Sequence, residues 1–93
     1  MEIFSFKFEG ISKPETMNDF ESIRAETEDI VDFEFGQSAT EIVGVVSAFD
    51  AVVVITKENK NRFRTSVKYD DGRFIVVWYT LEKTIQFINK EFE

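Results

Sequence analysis

The sequence has no cysteine and no histidine among its 93 residues. Without cysteine the chain can form no disulfide bond, no thiolate metal site and no thiol nucleophile. Without histidine it lacks the commonest general acid–base group and the commonest transition-metal ligand. Because these two absences remove many familiar catalytic and metal-binding arrangements, we expect neither a metal ion nor a cofactor.

Long apolar runs and glycine-rich phosphate loops are also missing. No apolar stretch approaches the ~20 residues that a membrane-spanning helix needs. The alternating run over residues 1–8 lacks the basic start and continuous apolar core of a secretory signal. No phosphate-binding loop, dinucleotide-binding turn or serine nucleophile elbow is present. We therefore expect a cytoplasmic protein without membrane contact.

The charge of the chain is mainly acidic and unevenly distributed. The formal net charge is −7, to which residues 1–50 contribute −9 and residues 51–93 contribute +2. Such asymmetry between the halves of a chain can mark a charged partner. The alternative is an ordinary soluble domain whose helices and loops are acidic and one of whose strands is basic, since net charge addresses solubility and association rather than fold.

Clear hydrophobic periodicity is present, and the length fits one domain over residues 1–93. Alternation of apolar and polar residues predicts half-buried strands, and runs that are apolar on both faces predict more deeply buried ones. The predicted strands are 3–8, 30–35, 51–57, 62–69 and 73–79. Between the last two, Asp-Asp-Gly at 70–72 is a tight hairpin signal.

Two segments have helical spacing. A helix is predicted over 13–27, since Ser12 and Glu15 fit a capping box and Met17, Phe20 and Ile23 share one face. An amphipathic helix is predicted from residue 81 to 92, with Thr80 as its N-cap. Its buried stripe consists of Leu81, Ile85, Ile88 and Phe92.

The segment 38–50 fits either a helix or a strand. Its apolar residues lie on one helical stripe, but it is rich in β-branched residues and has Gly44 in its middle, which disfavours a helix. A strand would have to turn near 48–50, where no glycine or proline supports a turn. The fold predicted is α+β, mainly an antiparallel sheet of five or six strands with two helices, or three if this segment is helical. Residues 51–79 form a three-stranded meander in this prediction, and the C-terminal helix packs on the sheet.

Paired carboxylates are candidates for acid–base catalysis by number alone, and two examples are Asp32 with Glu34 and Asp70 with Asp71. Asp32 and Glu34 flank Phe33 on a predicted strand, so both point to the solvent face. Asp70 and Asp71 occupy the predicted hairpin turn, where aspartate is favoured for its turn geometry. Neither pair shows a sign of the desolvation that usually produces a working pKa. We therefore expect a protein that is not an enzyme and has no catalytic residues.

An acidic surface is the leading candidate for function. Ordered carboxylates on a small domain can occupy a basic or nucleic-acid-binding groove of a protein partner, with charge steering raising the association rate. The hypothesis is a non-catalytic protein-binding or inhibitor module, and a phage or mobile-element accessory factor would fit its size and charge. The residues predicted to bind the partner are Glu15, Asp19, Glu21, Glu26, Glu28, Asp29, Asp32 and Glu34.

A basic strand is the alternative. Six bases lie between Lys57 and Arg73, and a basic face with Trp78 or Tyr79 as a stacking platform would suit nucleic acid. The net negative charge of the chain opposes this reading at long range, and bases on an exposed strand also prevent edge-to-edge aggregation. The residues predicted to form the basic face are Arg62, Arg64, Lys68 and Arg73.

The apolar content supports a third hypothesis. Eleven phenylalanines are present, and a single layer of helices covers only one face of a sheet. If segment 38–50 does not cover the other face, the exposed apolar surface would mark an interface, and a structural homodimer packed sheet to sheet would be expected. The phenylalanines predicted to lie in the core are Phe4, Phe6, Phe8, Phe33, Phe35 and Phe63.

Overall fold

The computed structural model describes residues 13–35 and 40–93. The predicted strand over 3–8 and the capping residue Ser12 lie outside this part of the chain. The elements in chain order are helix α1 (Lys13–Glu26), strands β1 (Asp32–Phe35) and β2 (Glu41–Val46), a 3₁₀ turn (Ser47–Phe49), strands β3 (Ala51–Asn59), β4 (Arg62–Tyr69) and β5 (Phe74–Tyr79), and helix α2 (Leu81–Glu91).

The five strands form one sheet in the order β1-β2-β3-β4-β5. Each strand pairs antiparallel with its neighbour in sequence. The predicted α+β fold with a mainly antiparallel sheet is therefore confirmed, as is the meander of β3, β4 and β5. Strand β3, which the sequence predicts to be a central strand, lies in the middle of the sheet.

Both helices pack on the same face of the sheet. Phe20 of α1 meets Phe63 of β4 edge-on, with ring centroids 6.4 Å apart. Phe92, just after α2, lies with its ring centroid 6.2 Å from that of Tyr69, also on β4. Because residues 63 and 69 are an even number apart, they project from the same side of the strand. One hydrophobic core fills the space between this face and the two helices.

The helices follow their predicted periodicity with one difference. Phe20 and Ile23 are fully buried, but Met17 is 37 % exposed. Thr16 and Thr27 complete the buried stripe of α1 instead, because positions 16, 20, 23 and 27 recur on one helical face. The predicted N-cap of α2 is confirmed, since Thr80 Oγ1 accepts a hydrogen bond from the backbone N–H of Lys83 at 3.4 Å.

The described part of segment 38–50, residues 40–50, supplies a strand and a turn rather than a third α-helix. Strand β2 pairs with β1 on one side and β3 on the other. The segment is therefore a strand, as its β-branched residues favour, and not the helix that its apolar spacing also allowed. The 3₁₀ turn ends at Asp50, which adopts the left-handed conformation at φ 50° and ψ 50°. Aspartate tolerates this conformation better than most residues, which is why the turn needs no glycine.

The two remaining strand connections are tight. The predicted hairpin turn is confirmed, with Gly72 at φ 98° and the backbone N–H of Tyr69 donating to the Arg73 carbonyl at 2.9 Å. The connection between the predicted strands 51–57 and 62–69 is shorter than expected. Strand β3 continues to Asn59 and β4 begins at Arg62, and the extra length is absorbed by a register shift between Lys57 and Asn59.

Candidate functional site

The face of the sheet that points away from α1 and α2 is a candidate binding surface, and we call it the open face. Strand pairing arranges its outward side chains in three rows that run from β1 to β5. The first row is Asp32, Val45, Val52, Lys68 and Phe74. The second row is Glu34, Val43, Val54, Ser66 and Val76. The third row, which begins on β2, is Glu41, Thr56, Arg64 and Trp78.

Each strand gives the open face a different chemistry. Strand β1 presents acids, β2 and β3 present mainly valines, β4 presents bases with a serine between them, and β5 presents two aromatic rings and a valine. Four large apolar side chains are well exposed: Val45 at 47 %, Val52 at 41 %, Phe74 at 61 % and Trp78 at 46 %. Apolar side chains gathered on one side of a sheet, with charge on both flanks of the valines, are typical of an interaction surface.

Much of the charge on the open face is available to a partner. Within the described part of the chain, Asp32, Glu34 and Lys68 take part in no ion pair. Arg64 has only a loose contact, with its Nε 4.0 Å from Glu58 Oε2. Exposed pairs at such distances contribute little, so the charges of β1 and β4 can engage a second molecule at small cost.

The predicted acidic surface is divided by the fold, and its first part is engaged with a buried lysine. Glu15 and Asp19 of α1 turn towards Lys57, whose side chain is fully buried. Lys57 Nζ lies 2.6 Å from Asp19 Oδ2 and 3.7 Å from Glu15 Oε1. These two carboxylates neutralise a buried cation, so their first role is structural.

The other predicted acids lie on two different sides of the protein. Asp32 and Glu34 belong to the open face, on the far side of the sheet from α1. Glu21 Oε1 lies 3.8 Å from Arg24 Nη1 within the helix. The acids that remain exposed on α1 and the turn after it are Glu21, Glu26, Glu28 and Asp29.

The predicted basic face is also smaller than the sequence suggests. Arg64 and Lys68 lie on the open face, and Arg62 is exposed at the start of β4. Lys57 is buried under α1, as described above. Arg73 lies in the β4–β5 turn, where its guanidinium carbon is 4.1 Å from the centroid of the Tyr69 ring, and Tyr69 faces the helices.

Arg73 is further held by interactions within its own turn. Its Nε lies 2.9 Å from Asp71 Oδ2, and its backbone N–H donates to Asp71 Oδ1 at 3.0 Å. This backbone hydrogen bond, assisted by the guanidinium, lowers the pKa of Asp71. Burial, together with a hydrogen bond donated to Glu91, raises the pKa of Tyr69 to about 12. The charges of Asp71 and Arg73 therefore compensate each other within the turn.

The two aromatic candidates for stacking fall on different faces. Trp78 lies directly beside Arg64 on the open face. Tyr79 points the other way, with its ring centroid 5.9 Å from that of Phe87 on α2. Phe74, beside Lys68, was not among the sequence candidates. Phe74 could have been recognised only from the strand register, because it pairs with an outward-facing residue of β4.

The carboxylate pairs considered for catalysis are solvent-exposed. Asp32, Glu34, Asp70 and Asp71 are all exposed, as predicted. Residues 13–35 and 40–93 contain no cluster of three or more acidic side chains arranged to hold a metal ion. Within the same ranges, neither helix has the length and apolar character to traverse a lipid bilayer.

The open face thus combines exposed apolar side chains with unpaired charges of both signs. What it does must be inferred from this geometry. No family model, no curated protein and no solved structure matches the chain in comparisons with known proteins.

Proposed function

We propose that this protein is a non-catalytic protein-binding module and that the open face of its sheet is the binding surface. The observation that carries the proposal is the exposure of Val45, Val52, Phe74 and Trp78 on one side of the sheet, each between about two-fifths and three-fifths exposed. Burial of such side chains is the main source of free energy in protein association, and a tryptophan is a frequent anchor.

The charges on the open face supply orientation. The acids of β1 and the bases of β4 lie on opposite sides of the valines, so a partner with the reverse order of charges fits in one orientation and is repelled in the other. The side chains stand on paired strands rather than on loops. Little conformational entropy is therefore lost on binding.

Inhibition is a narrower form of the proposal. A module that covers the basic or nucleic-acid-binding groove of a partner would block that groove, and the acids exposed on α1 and in the turn after it suit this role. These are Glu21, Glu26, Glu28 and Asp29. The open face is the better supported surface because it combines charge with apolar area. On the described side chains of α1 and the turn after it, Met17 is the one large apolar residue that is well exposed.

Two variants distinguish the two surfaces by affinity capture from the native host. The open-face variant carries Val52→Thr and Trp78→Ser, and the helix variant carries Glu21→Lys and Glu26→Lys. We expect the open-face variant to capture at least about tenfold less of the partner, since loss of two exposed apolar side chains from the binding surface should cost about 1.4 kcal/mol or more. We expect the helix variant to capture it normally.

The stability of both variants is measured as a control, to show that a loss of capture is not caused by unfolding. All four substituted positions are exposed, so both variants should unfold within about 1 kcal/mol of wild type. Normal capture by the open-face variant, with loss of capture by the helix variant, would move the binding surface to α1 and contradict the proposal.

A nucleic-acid-binding role is the second candidate, favoured by one observation. Arg64 lies beside Trp78, and Lys68 lies beside Phe74, which places each base next to an aromatic ring, as in surfaces that bind single strands. Opposing it, Asp32 stands in the same row and repels phosphate.

A gel-shift titration with single-stranded DNA and RNA tests this second role. We expect no shift even at low salt. A shift that weakens steeply with salt, and that disappears on replacing Arg64 and Lys68 by glutamate while persisting in the Glu21→Lys control, would assign the open face to nucleic acid instead.

A further inference from the structure

We infer that the partner of the open face is a second copy of this chain, bound face to face in one particular two-fold arrangement. The inference rests on the proposed function, because it names the occupant of the same surface. It is carried by the order of chemistries across the strands, which is complementary to itself.

The chemistry of the open face is complementary to itself about a midline that runs between β2 and β3, parallel to the strands. The two valine-bearing strands lie at equal distances on either side of this midline. The acidic strand β1 and the basic strand β4 lie at equal distances farther out, about 7 Å from it at the usual strand spacing. A two-fold axis that runs along the midline, parallel to the strands, therefore places β1 over the partner's β4 and β2 over the partner's β3.

The rows fall into register in the same arrangement. Rotation about an axis parallel to the strands does not change height along them, so each row meets the same row of the partner. Asp32 then faces the partner's Lys68, Val45 faces the partner's Val52, and Val43 faces the partner's Val54. Sheets that pack face to face with strands within about 30° of each other interdigitate in this way at a separation of about 10 Å.

The competing two-fold arrangement is disfavoured by charge. An axis perpendicular to the strands would place each strand over its own copy, so Asp32 and Glu34 would face acids and Arg64 and Lys68 would face bases. Like charges opposed across an interface cost several kcal/mol. The pattern of charges thus selects the first arrangement and rejects the second.

The size of the overlap sets the strength expected. Four overlapping strands give a patch of roughly 20 by 20 Å, which is smaller than a standard specific interface and is typical of weak, transient association. We expect a dimer with a dissociation constant in the micromolar range or weaker. Strand β5 lies outside the overlap, so Phe74 and Trp78 remain accessible in the dimer.

Charge exchange tests the arrangement by sedimentation velocity over about 10 μM to 1 mM. An acidic variant carries Arg64→Glu and Lys68→Glu, and a basic variant carries Asp32→Lys and Glu34→Lys. Each variant alone should associate at least about tenfold more weakly than wild type, because like charges then face each other. An equimolar mixture should form a heterodimer at least as strong as the wild-type dimer, since both contacts become opposite in sign. Trp78→Ser, outside the overlap, should dimerise like wild type.

Three results would overturn the inference. The first is a wild-type chain that stays monomeric to 1 mM. In that case the proposed function would still stand if the variant with Val52→Thr and Trp78→Ser fails to capture another protein that the wild type captures. The second is a dimer indifferent to both charge variants, which would place the contact at a sheet edge. The third is a monomer in which the thiol of Val52→Cys resists labelling, which would assign the open face to another segment of the same chain.

Discussion

Replacing Asp19 by alanine should lower the free energy of unfolding by about 3 kcal/mol, because it leaves the buried ammonium of Lys57 without its main partner. Lys57 Nζ lies 2.6 Å from Asp19 Oδ2, and the lysine side chain is completely inaccessible to solvent. A cation in such a position cannot be rehydrated without opening the core. Glu15, at 3.7 Å, replaces only part of the lost interaction.

The opposite substitution should cost much less. Lys57→Met removes the cation and fills a similar volume with apolar atoms. The carboxylates that remain are partly hydrated, with side-chain exposures of 18 % for Asp19 and 45 % for Glu15. Exchange of a buried ion for a well-packed apolar group is often neutral, so we expect a loss of about 1 kcal/mol or less.

Urea unfolding of wild type and both variants measures this asymmetry. Glu21→Ala is the control on the exposed side of the same helix and should change stability by about 0.5 kcal/mol at most. Equal losses for Asp19→Ala and Lys57→Met would show that the ion pair acts as ordinary packing. A loss below about 1 kcal/mol for Asp19→Ala would show that Lys57 reaches water.

Replacing Gly44 by alanine should cost about 2–3 kcal/mol by overpacking the core. A β-carbon at position 44 would lie 2.5 Å from Phe33 Cδ1 and 2.5 Å from Val31 Cγ1. Both neighbours are buried, Phe33 at 5 % and Val31 at 2 % exposure, so neither can move aside into solvent. The ring of Phe33 occupies the space that a side chain at position 44 would need.

A compensating substitution separates this mechanism from loss of β-structure. Phe33→Leu removes part of the ring, so the combination with Gly44→Ala should be less destabilised than the sum of the two single variants. Val45→Ala, at the neighbouring outward position, is the matched control and should cost under about 1 kcal/mol. Strict additivity in thermal or urea unfolding would contradict the steric explanation.

The elements could be predicted from sequence because the apolar alternation of β1 and β4 and the helical stripe of α2 are local signals. Gly44 shows a limit of prediction from local sequence. As a residue it only disfavours a helix, and its role opposite Phe33 depends on the register between β1 and β2. Asp50 shows the same limit, since its left-handed conformation is set by the 3₁₀ turn before it.

The candidate site was less accessible to prediction. Lys57 carried a usable signal, because it continues the inward phase of Val53 and Ile55 on β3, but it was considered only as one of the six bases between residues 57 and 73. The prediction of one acidic surface assumed that residues close in sequence are also close in space. The fold instead places Asp19 beneath the sheet and Asp32 on its far side, a separation that no local pattern contains.

The meander has a consequence for how the chain folds. Among residues 13–35 and 40–93, each strand pairing joins sequence neighbours through a short connection. This sheet can therefore grow hairpin by hairpin without closing a long loop, which favours rapid folding. The contacts that tie distant parts of the chain together are made by the helices. The hydrogen bond from Lys57 to Asp19 spans 38 residues and forms only when α1 docks on the finished hairpins. We therefore expect this ion pair to form late in folding, so that its loss would mainly speed unfolding rather than slow folding.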